Sequence, residues 1–157
     1  MRSAPIDDLD VRLIREMAAR PRASHLELAR QLGVTRATVH ARLGKLVQRG
    51  VVTGFGPTLD PRALGYQVQA FVTLGIAQGR LDEVAQSLRA VPQVLEAHGI
   101  TGAGDVHCRV VASTHEQLQE ILIRLNRSAN VVRSNSVISL SELVAYRTLT
   151  LLPDPQG

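Results

Sequence analysis

Two capped helical segments with only Gly33 and Val34 between them constrain this chain more than any other feature of its sequence. Ser24 and Glu27 have the spacing of a capping box, in which each side chain accepts a hydrogen bond from the other residue's backbone amide. Gly33 suits the left-handed position that ends a helix, and Thr35 is a good N-cap for the next one. The pattern therefore predicts two successive helices joined by a very short turn.

A further helix is expected before this pair. Apolar residues recur there at steps of three and four, the period of an amphipathic helix. They are Ile6, Leu9, Leu13, Ile14 and Met17. Asp7 can cap the start of this helix, and Pro21 stops it. Three helices with so short a glycine turn between the last two are typical of a helix-turn-helix, which places its second helix in the major groove of DNA.

The last of these helices carries most of the residues that we predict to contact DNA. Its buried stripe is predicted at Val39, Leu43, Leu46 and Val47, and its opposite side combines small residues with cations. Small side chains allow close approach to base edges, and flanking cations reach phosphates. The predicted DNA contacts are Ser24, Thr35, Arg36, Ala37, Thr38, His40, Ala41, Arg42, Lys45 and Arg49. The alternative is a solvated charged face on an ordinary three-helix bundle.

The distribution of charge favours DNA binding over that alternative. Residues 1–56 hold ten cations and five acids, a net charge of +5, whereas residues 57–157 hold eight cations and nine acids, a net charge of −1. Between residues 20 and 49, seven cations are opposed by Glu27 alone. Such asymmetry indicates a polyanion-binding unit attached to a near-neutral remainder.

A short strand or wing and then a hinge are expected after Gly50. Residues 51–55 favour strand, the glycines and proline that follow interrupt it, and Asp60 with Pro61 predicts a turn. We therefore predict a winged helix-turn-helix domain over residues 1–56, a hinge over 57–65 and a second domain over 66–157.

The second domain alternates between the period of a strand and that of a helix. Strands are predicted at Val68–Ile76, at Val94–Thr101, at Val106–Ala112 and at about Val131–Leu140, and helices at Leu81–Ala90 and after the capping box of Thr114 and Gln117. The order βαββαβ is the ferredoxin-like plan, an antiparallel sheet with two helices on one face, so the fold class is α+β. The other sheet face suggests burial against a second subunit.

The two domains in this order resemble the Lrp/AsnC (feast/famine) family of transcription regulators. The resemblance extends from Ile6 to Leu152. It rests on Leu9-Asp10, Leu13-Ile14, Glu27-Leu28-Ala29, Leu32-Gly33, Val34-Thr35, Leu43, Leu46, Gly50, Val51-Val52, Asp60-Pro61, Leu64-Gly65 and Ile100-Thr101-Gly102 leading to Asp105. It implies a homodimer that assembles further into tetramers or octamers. A dimer presents two recognition helices, so the operator is predicted to be a pseudopalindromic DNA duplex.

The resemblance also implies a small-molecule effector, an amino acid bound between subunits of the C-terminal domain. The family's contacts come from the turn after the second strand and from polar residues near the last strand. The matching positions here are Thr101, Gly102, Asp105, Ser134 and Ser136. A carboxylate such as that of Asp105 suits an ammonium group, and turn amides or hydroxyls suit a carboxylate.

Gly104 departs from the family pattern, which commonly has an aromatic residue at this position. We include Gly104 in the effector site and expect the missing ring to enlarge the pocket or loosen the loop, in favour of a bulkier effector such as phenylalanine. Simpler interpretations stay open for the same residues. Gly102 and Gly104 suit a plain turn that requires positive φ, Asp105 suits turn capping, and the two serines suit solvent-facing strand positions.

Other classes of function have little support in the sequence. His107 and Cys108 are adjacent on a predicted strand and should point to opposite faces, so they should not share a metal ion or a reaction. We predict that the protein is not an enzyme and that it has no cofactor and no metal site. An RNA-binding or merely ligand-binding ferredoxin-like protein is the alternative, but stacking of bases would need more strand aromatics than Phe71. No apolar run approaches the roughly 20 residues that cross a bilayer, and the acidic start is unlike a signal peptide, so a cytoplasmic protein without membrane contact is expected.

Overall fold

The computed structural model describes residues 6–127 and 130–154, which form two compact units. The first unit is Met1–Pro57 together with Ala145–Gly157, and the second is Thr58–Val144. The boundary after Pro57 lies at the start of the predicted hinge. The boundary after Val144 differs from the sequence-based division, which assigned residues through 157 to the second domain.

The first unit is built on three helices, α1 (Asp8–Ala19), α2 (His25–Leu32) and α3 (Arg36–Gln48). The predicted N-caps are confirmed, since Asp7, Ser24 and Thr35 each accept a hydrogen bond from the third backbone amide that follows. Gly33 ends α2 in the left-handed conformation, at φ 69°. The described core of this unit is Leu13, Leu28, Ala29, Leu32, Val39, Leu43 and Leu46.

Two expectations for this unit are wrong. Val47 was assigned to the buried stripe of α3, but it is 43% exposed, because the stripe has rotated away from the core by the last turn of the helix. The short strand expected at residues 51–55 does not form among the described residues, where this segment consists of bends and coil.

The second unit has the predicted βαββαβ order. Its elements are β1 (Val68–Ile76), α4 (Leu81–Arg89), β2 (Val94–Gly99), β3 (Val106–Ala112), α5 (His115–Asn126) and β4 (Val131–Ile138). The strands form one sheet in the order β2-β3-β1-β4 with every neighbouring pair antiparallel. β2 and β4 each end two residues before their predicted ends, at Gly99 and Ile138.

The core of the second unit lies between the sheet and its two helices. Alternate residues of the central strands β1 and β3 are fully buried there, among them Ala70, Val72, Cys108 and Val110. Leu81, the first residue of α4, is 49% exposed, whereas Val84 and Leu88 of the same helix are buried in this core. The core therefore fixes both ends of β1 and β3, and with them the loops that carry the predicted effector residues.

The opposite sheet face is lined by half-buried side chains. Phe71 stacks on His107 with ring centroids 5.7 Å apart, and Thr73 Oγ1 lies 3.0 Å from His107 Nδ1. Val137, beside Phe71 on β4, is 56% exposed. This face thus combines one apolar strip with polar neighbours.

The segment 145–154 groups with the helices of the first unit. Arg15 of α1 donates a hydrogen bond to the carbonyl of Pro153 at 3.1 Å, and its guanidinium lies 3.7 Å from the carboxylate of Asp154. This segment contains a short 3-10 helix at Leu149–Leu151. None of the described helices combines the length and apolar character that crossing a membrane requires.

Candidate functional site

The outward face of α3 presents small and cationic side chains to solvent. Arg36, Ala37, Ala41 and Lys45 are exposed, as predicted for residues that approach DNA. Thr38 is half-buried, and its backbone amide and its hydroxyl both bond to the capping hydroxyl of Thr35, at 3.1 and 2.9 Å. The hydroxyl of Thr38 is thus engaged in the cap of its own helix.

Ser24 is exposed but its hydroxyl is committed to the cap of α2. It donates to Glu27 Oε2 at 2.7 Å and accepts from the Glu27 amide at 3.3 Å. The backbone amide of Ser24 also donates to Glu27 Oε2, at 2.7 Å, and this bond together with that from the hydroxyl holds the pKa of the Glu27 carboxyl below its usual range. Glu27 is thus a fixed anion at a helix N-terminus, which suits the helix dipole.

Arg42 lies elsewhere than on the free face of α3. Its guanidinium is bonded to Asp7 at the cap of α1 and lies 3.1 Å from Asp10 Oδ1. Asp10 is 6% exposed, so Arg42 supplies the charge partner of a buried carboxylate. The partners are 35 and 32 residues away in the sequence, and no local pattern could have indicated them.

The predicted effector residues divide into two groups in the structure. Thr101 and Asp105 line an open pocket of about 750 Å³ at the ends of β1 and β2. The described residues around it are otherwise Ile76, Ala77, Gln78, Gly79, Leu81, Gly99 and Ile100. Gly102, Gly104, Ser134 and Ser136 are described but do not line this pocket within the single chain.

Asp105 fastens the loop between β2 and β3 to the end of β1. Its Oδ2 accepts a hydrogen bond from the amide of Ile76 at 2.7 Å, and its own amide donates to the carbonyl of Leu74 at 2.9 Å. The Ile76 amide is available because the pairing of β1 with β4 shifts register between Gly75 and Ile76. The capping interpretation of Asp105 is therefore supported, and the residue is exposed where it lines the pocket.

Gly104 has a different role from the one expected. The residue is buried, and a Cβ there would lie 2.4 Å from Thr73 Cγ2 and 3.1 Å from the carbonyl oxygen of Leu74. The glycine thus lets the loop lie flush against β1, and it neither enlarges the pocket nor loosens the loop. Gly102, by contrast, has the predicted positive φ, at 109°.

Ser134 and Ser136 are exposed residues of the edge strand β4. They pair with Leu74 and Val72, so their side chains lie on the helix side of the sheet. Arg133 lies on the opposite side and was not predicted. It crosses over Gly75, where an added Cβ would meet its Cγ at 2.7 Å, and it donates to the carbonyl of Ala103. The loop between β2 and β3 is thereby held by β4 as well as by β1.

The described residues do not bring together the ligands of a metal centre. No group of three or more His, Cys, Asp and Glu side chains there is placed to hold a metal ion. Cys108 is buried, and burial raises the pKa of its thiol to about 11. A thiol so far from ionising is a core side chain, since the thiolate is the nucleophile.

A helix-turn-helix unit with a basic outward helix, followed in the chain by a second, sheet domain, is typical of a DNA-binding transcription regulator. Comparison with known families agrees for both parts. Residues 6–53 match the winged helix-turn-helix DNA-binding family, and residues 69–149 match the Lrp/AsnC ligand binding domain. The chain belongs to the Lrp/AsnC family of transcriptional regulators.

Individual relatives are similar over nearly the whole chain. The HTH-type transcriptional regulator Rv2324 of Mycobacterium tuberculosis is 31% identical, over 88% of this chain and 95% of its own length. The structure of Escherichia coli AsnC superposes with a TM-score of 0.86 at 26% identity, covering 93% of this chain and 99% of AsnC. The feast or famine regulatory protein Rv3291c of M. tuberculosis, complexed with L-methionine, has a TM-score of 0.81 at 30% identity, covering 92% and 98%.

The predicted family and fold class are thereby confirmed. The protein is a DNA-binding transcriptional regulator with a ligand-binding domain, and it is not an enzyme. The alternative of an RNA-binding or ligand-binding ferredoxin-like protein without a role in transcription is set aside, because both domains match the regulator family.

Proposed function

We propose that the protein binds a pseudopalindromic DNA duplex as a homodimer, with α3 of each subunit in a major groove. The exposed basic face of α3 carries this proposal. Arg36 and Lys45 are the exposed cations of that helix, and Ala37 and Ala41 leave room for base edges between them. Thr35, Thr38, His40 and Arg49 complete the proposed contact face, with Ser24 at the start of α2.

Arg42 contributes to this interface indirectly. Its guanidinium is taken up by Asp7 and Asp10, so we assign it to holding α3 against α1 and not to a phosphate. The test of DNA binding therefore substitutes Arg36 and Lys45 and leaves Arg42 unchanged.

The test compares two pairs of substitutions that remove the same charge. R36A/K45A should lower affinity for a duplex selected from a random library by about 10- to 100-fold, and should reduce the slope of log affinity against log salt by about 2, because two phosphate contacts are lost. The control R89A/R124A removes two exposed cations from the second unit and should leave affinity within about twofold. Fluorescence anisotropy measures both. Equal affinity of the parent and R36A/K45A would contradict the proposed interface.

We further propose that the effector is an amino acid bound at the β2–β3 loop, at an interface between subunits. The related Rv3291c protein has been observed with L-methionine, which supports this class of ligand. Asp105 and Thr101 offer a carboxylate and a hydroxyl to one pocket, and Gly102 offers a turn amide next to them. Gly104, Ser134 and Ser136 do not line this pocket within the single chain, and we keep them in the proposed site on the family resemblance alone.

The identity of the effector is left open by the proposal. Phenylalanine was favoured because Gly104 was expected to enlarge the pocket, and the close contact of Gly104 with Thr73 removes that reason. Dimerisation is proposed because the sheet face and the segment after it expose many apolar side chains, and burial of such surface is the usual gain of a subunit interface. A regulator that binds DNA would act in the cytoplasm.

A further inference from the structure

Residues of α4 and α5 line a second cavity of the second unit, with a volume of about 400 Å³. Small-molecule sites have volumes of about 300–1,000 Å³, so this cavity has the size of one. Its lining and the lining of the pocket at Asp105 have no residue in common. The cavity is therefore a candidate for a second binding site in this unit.

The floor of this cavity is apolar and reaches the sheet. Leu74 of the central strand β1 is 1% exposed, and Val84 of α4 is 2% exposed. Leu88 of α4 and Leu125 of α5 are buried lining residues of the same core. A cavity that extends through the helix layer to a central strand has the depth to take the apolar end of a small molecule, and each methylene group buried there favours binding.

Two exposed arginines line the same cavity. Arg124 lies in the last turn of α5 and Arg127 is its C-cap, so the two residues are three positions apart and neighbours on the helix. Neither guanidinium is hydrogen-bonded or ion-paired to a residue that the structure describes. Ser87 of α4 also lines the cavity, and its hydroxyl donates to the carbonyl of Glu83 at 3.0 Å. The described lining contains no acidic side chain, so its charge is positive.

The combination of unpaired cations and an apolar floor indicates the chemistry of a ligand. Cations near the end of a helix are common because they suit the helix dipole, and by themselves they indicate no site. Here both guanidinium groups open onto a cavity with buried leucine and valine side chains. We propose that this cavity binds a small carboxylate that has an aliphatic tail and no ammonium group. Arg124 and Arg127 hold the carboxylate through charge-assisted hydrogen bonds, and the tail lies on the apolar floor.

The two cavities of the second unit differ in charge, and this difference separates their ligands. The pocket at Asp105 offers a carboxylate, and no lysine or arginine is among its described lining residues. The second cavity offers two cations and no acid. The ammonium group of an amino acid is repelled there, whereas a simple carboxylate of the same size is attracted. The inference thus concerns a ligand other than the proposed effector, and it holds whether or not the proposed function does.

Isothermal titration calorimetry on the full chain tests the preference for an anion. The probes are octanoate, octanol and octylamine, which share one tail and are an anion, a neutral molecule and a cation at neutral pH. Octanoate should bind about 10- to 100-fold more tightly than octanol, because its hydrogen bonds join charged groups, and octylamine should bind more weakly than octanol. Octylamine that binds as tightly as octanoate, or octanoate that does not bind in the millimolar range, would overturn the proposal.

Substitution of the two arginines assigns the carboxylate to them. R124Q/R127Q should lower affinity for octanoate by about 10- to 100-fold and leave affinity for octanol within about twofold, since glutamine keeps hydrogen bonding without the charge. The control R62Q/R89Q removes two exposed cations of the same unit that do not line the cavity, and it should bind octanoate like the parent. A variant R124Q/R127Q with the octanoate affinity of the parent would contradict the assignment. Thermal unfolding of each variant checks that these exposed substitutions leave the fold intact.

Filling the cavity assigns the tail to its floor independently of the arginines. S87L places a larger apolar side chain at an exposed lining position and should weaken binding of both octanoate and octanol by at least about tenfold. Q86L is the matched control, because Gln86 is the exposed neighbour on α4 that does not line the cavity, and it should bind both probes like the parent. Equal affinities of S87L and Q86L for octanoate would place its binding elsewhere and overturn the proposal.

Discussion

Arg42 joins the first and third helices of the DNA-binding unit through one guanidinium group. It bonds to the N-cap carboxylate of α1 and to the buried carboxylate of Asp10, so it serves both a helix end and the core. The hydrogen bond from the Arg42 guanidinium holds the pKa of the Asp7 carboxyl below its ordinary value of 3.8. The position of α3 thus depends on the charge of a single residue, Arg42, for which the sequence predicted a contact with DNA.

We expect R42A to destabilise the first unit by about 1–3 kcal/mol, because it leaves the buried Asp10 carboxylate without its charged partner. R36A is the control, since Arg36 is exposed on the same helix, and should change stability by less than about 0.5 kcal/mol. Urea unfolding followed by far-UV circular dichroism measures both. Equal stability of R42A and R36A would contradict the role assigned to Arg42.

The pH dependence of that difference follows from the lowered pKa of Asp7. A carboxyl with a lower pKa in the folded state contributes stability above its ordinary pKa and loses it as pH falls through the folded value. The stability gap between the parent and R42A should therefore be full at neutral pH and shrink as pH falls below about 4. A gap that widens in acid would show that the sign is wrong.

The loop between β2 and β3 is held in place by contacts with both neighbouring strands, β1 and β4. Asp105 ties it to β1, Arg133 ties it to β4, and Gly104 lets it lie against the side chain of Thr73. At the scale of elements this makes the loop part of the sheet. We infer that its geometry is largely set before any effector binds.

G104A tests the close approach. Its new methyl group would lie within 2.4 Å of Thr73 Cγ2, so the variant should be destabilised by about 1–3 kcal/mol. G99A is the matched control on the same hairpin, because a Cβ at Gly99 meets its nearest atom at 4.0 Å, and it should be within about 1 kcal/mol of the parent. Thermal unfolding distinguishes the two. Equal melting temperatures of G104A and G99A would contradict the close approach of Gly104 to β1.

Elements whose signals are local could be predicted from the sequence. The caps at Asp7, Ser24 and Thr35 and the order of strands and helices follow from residues within one turn or one strand of each other. The family resemblance also identified Thr101 and Asp105, which the fold brings into one pocket.

Features that depend on distant parts of the chain could not be predicted. The ion pair of Arg42 spans more than 30 residues, and the crossing of Arg133 over Gly75 depends on the register of two strands. Gly104 could not be interpreted from the sequence for the same reason. A glycine that close packing requires and a glycine that opens a pocket look identical in a sequence. Whether a side chain is exposed at the end of a helix, as with Val47, likewise depends on the neighbouring packing.

At the scale of the whole molecule, a run of exposed apolar side chains lies toward the C-terminal end of the second unit. Leu140 is 94% exposed and Leu143 is 90% exposed, and Val137 precedes them on β4. Single exposed apolar residues are ordinary, but a run of them marks a surface that another protein covers. This run is the physical basis for expecting a dimer and for placing effector sites between subunits.

We expect one of the twenty standard amino acids to raise the melting temperature of the whole assembly in a thermal-shift screen, since a ligand that binds only the native state stabilises it by mass action. D105N should abolish that shift while preserving the fold, because asparagine still accepts the hydrogen bond from Ile76 but lacks the charge for an ammonium group. D60N, at an exposed turn aspartate, is the control and should respond like the parent.

Light scattering on the same samples measures subunit number with and without the stabilising amino acid. The expected mass is that of a dimer or a larger even-numbered assembly. A D105N variant that responds fully would contradict the proposed effector site, and a monomer at micromolar concentration would contradict the proposed interface.

The chain crosses between its two units twice, once after Pro57 and again after Val144, because the segment from Ala145 onward returns to the helices. Its last described stretch reaches Arg15 of α1 through Pro153 and Asp154. A purification tag or fluorescent protein fused to the C-terminus would therefore project from the unit that binds DNA, and a ligand-binding fragment made by deleting residues 1–57 would keep a tail whose docking surface is gone.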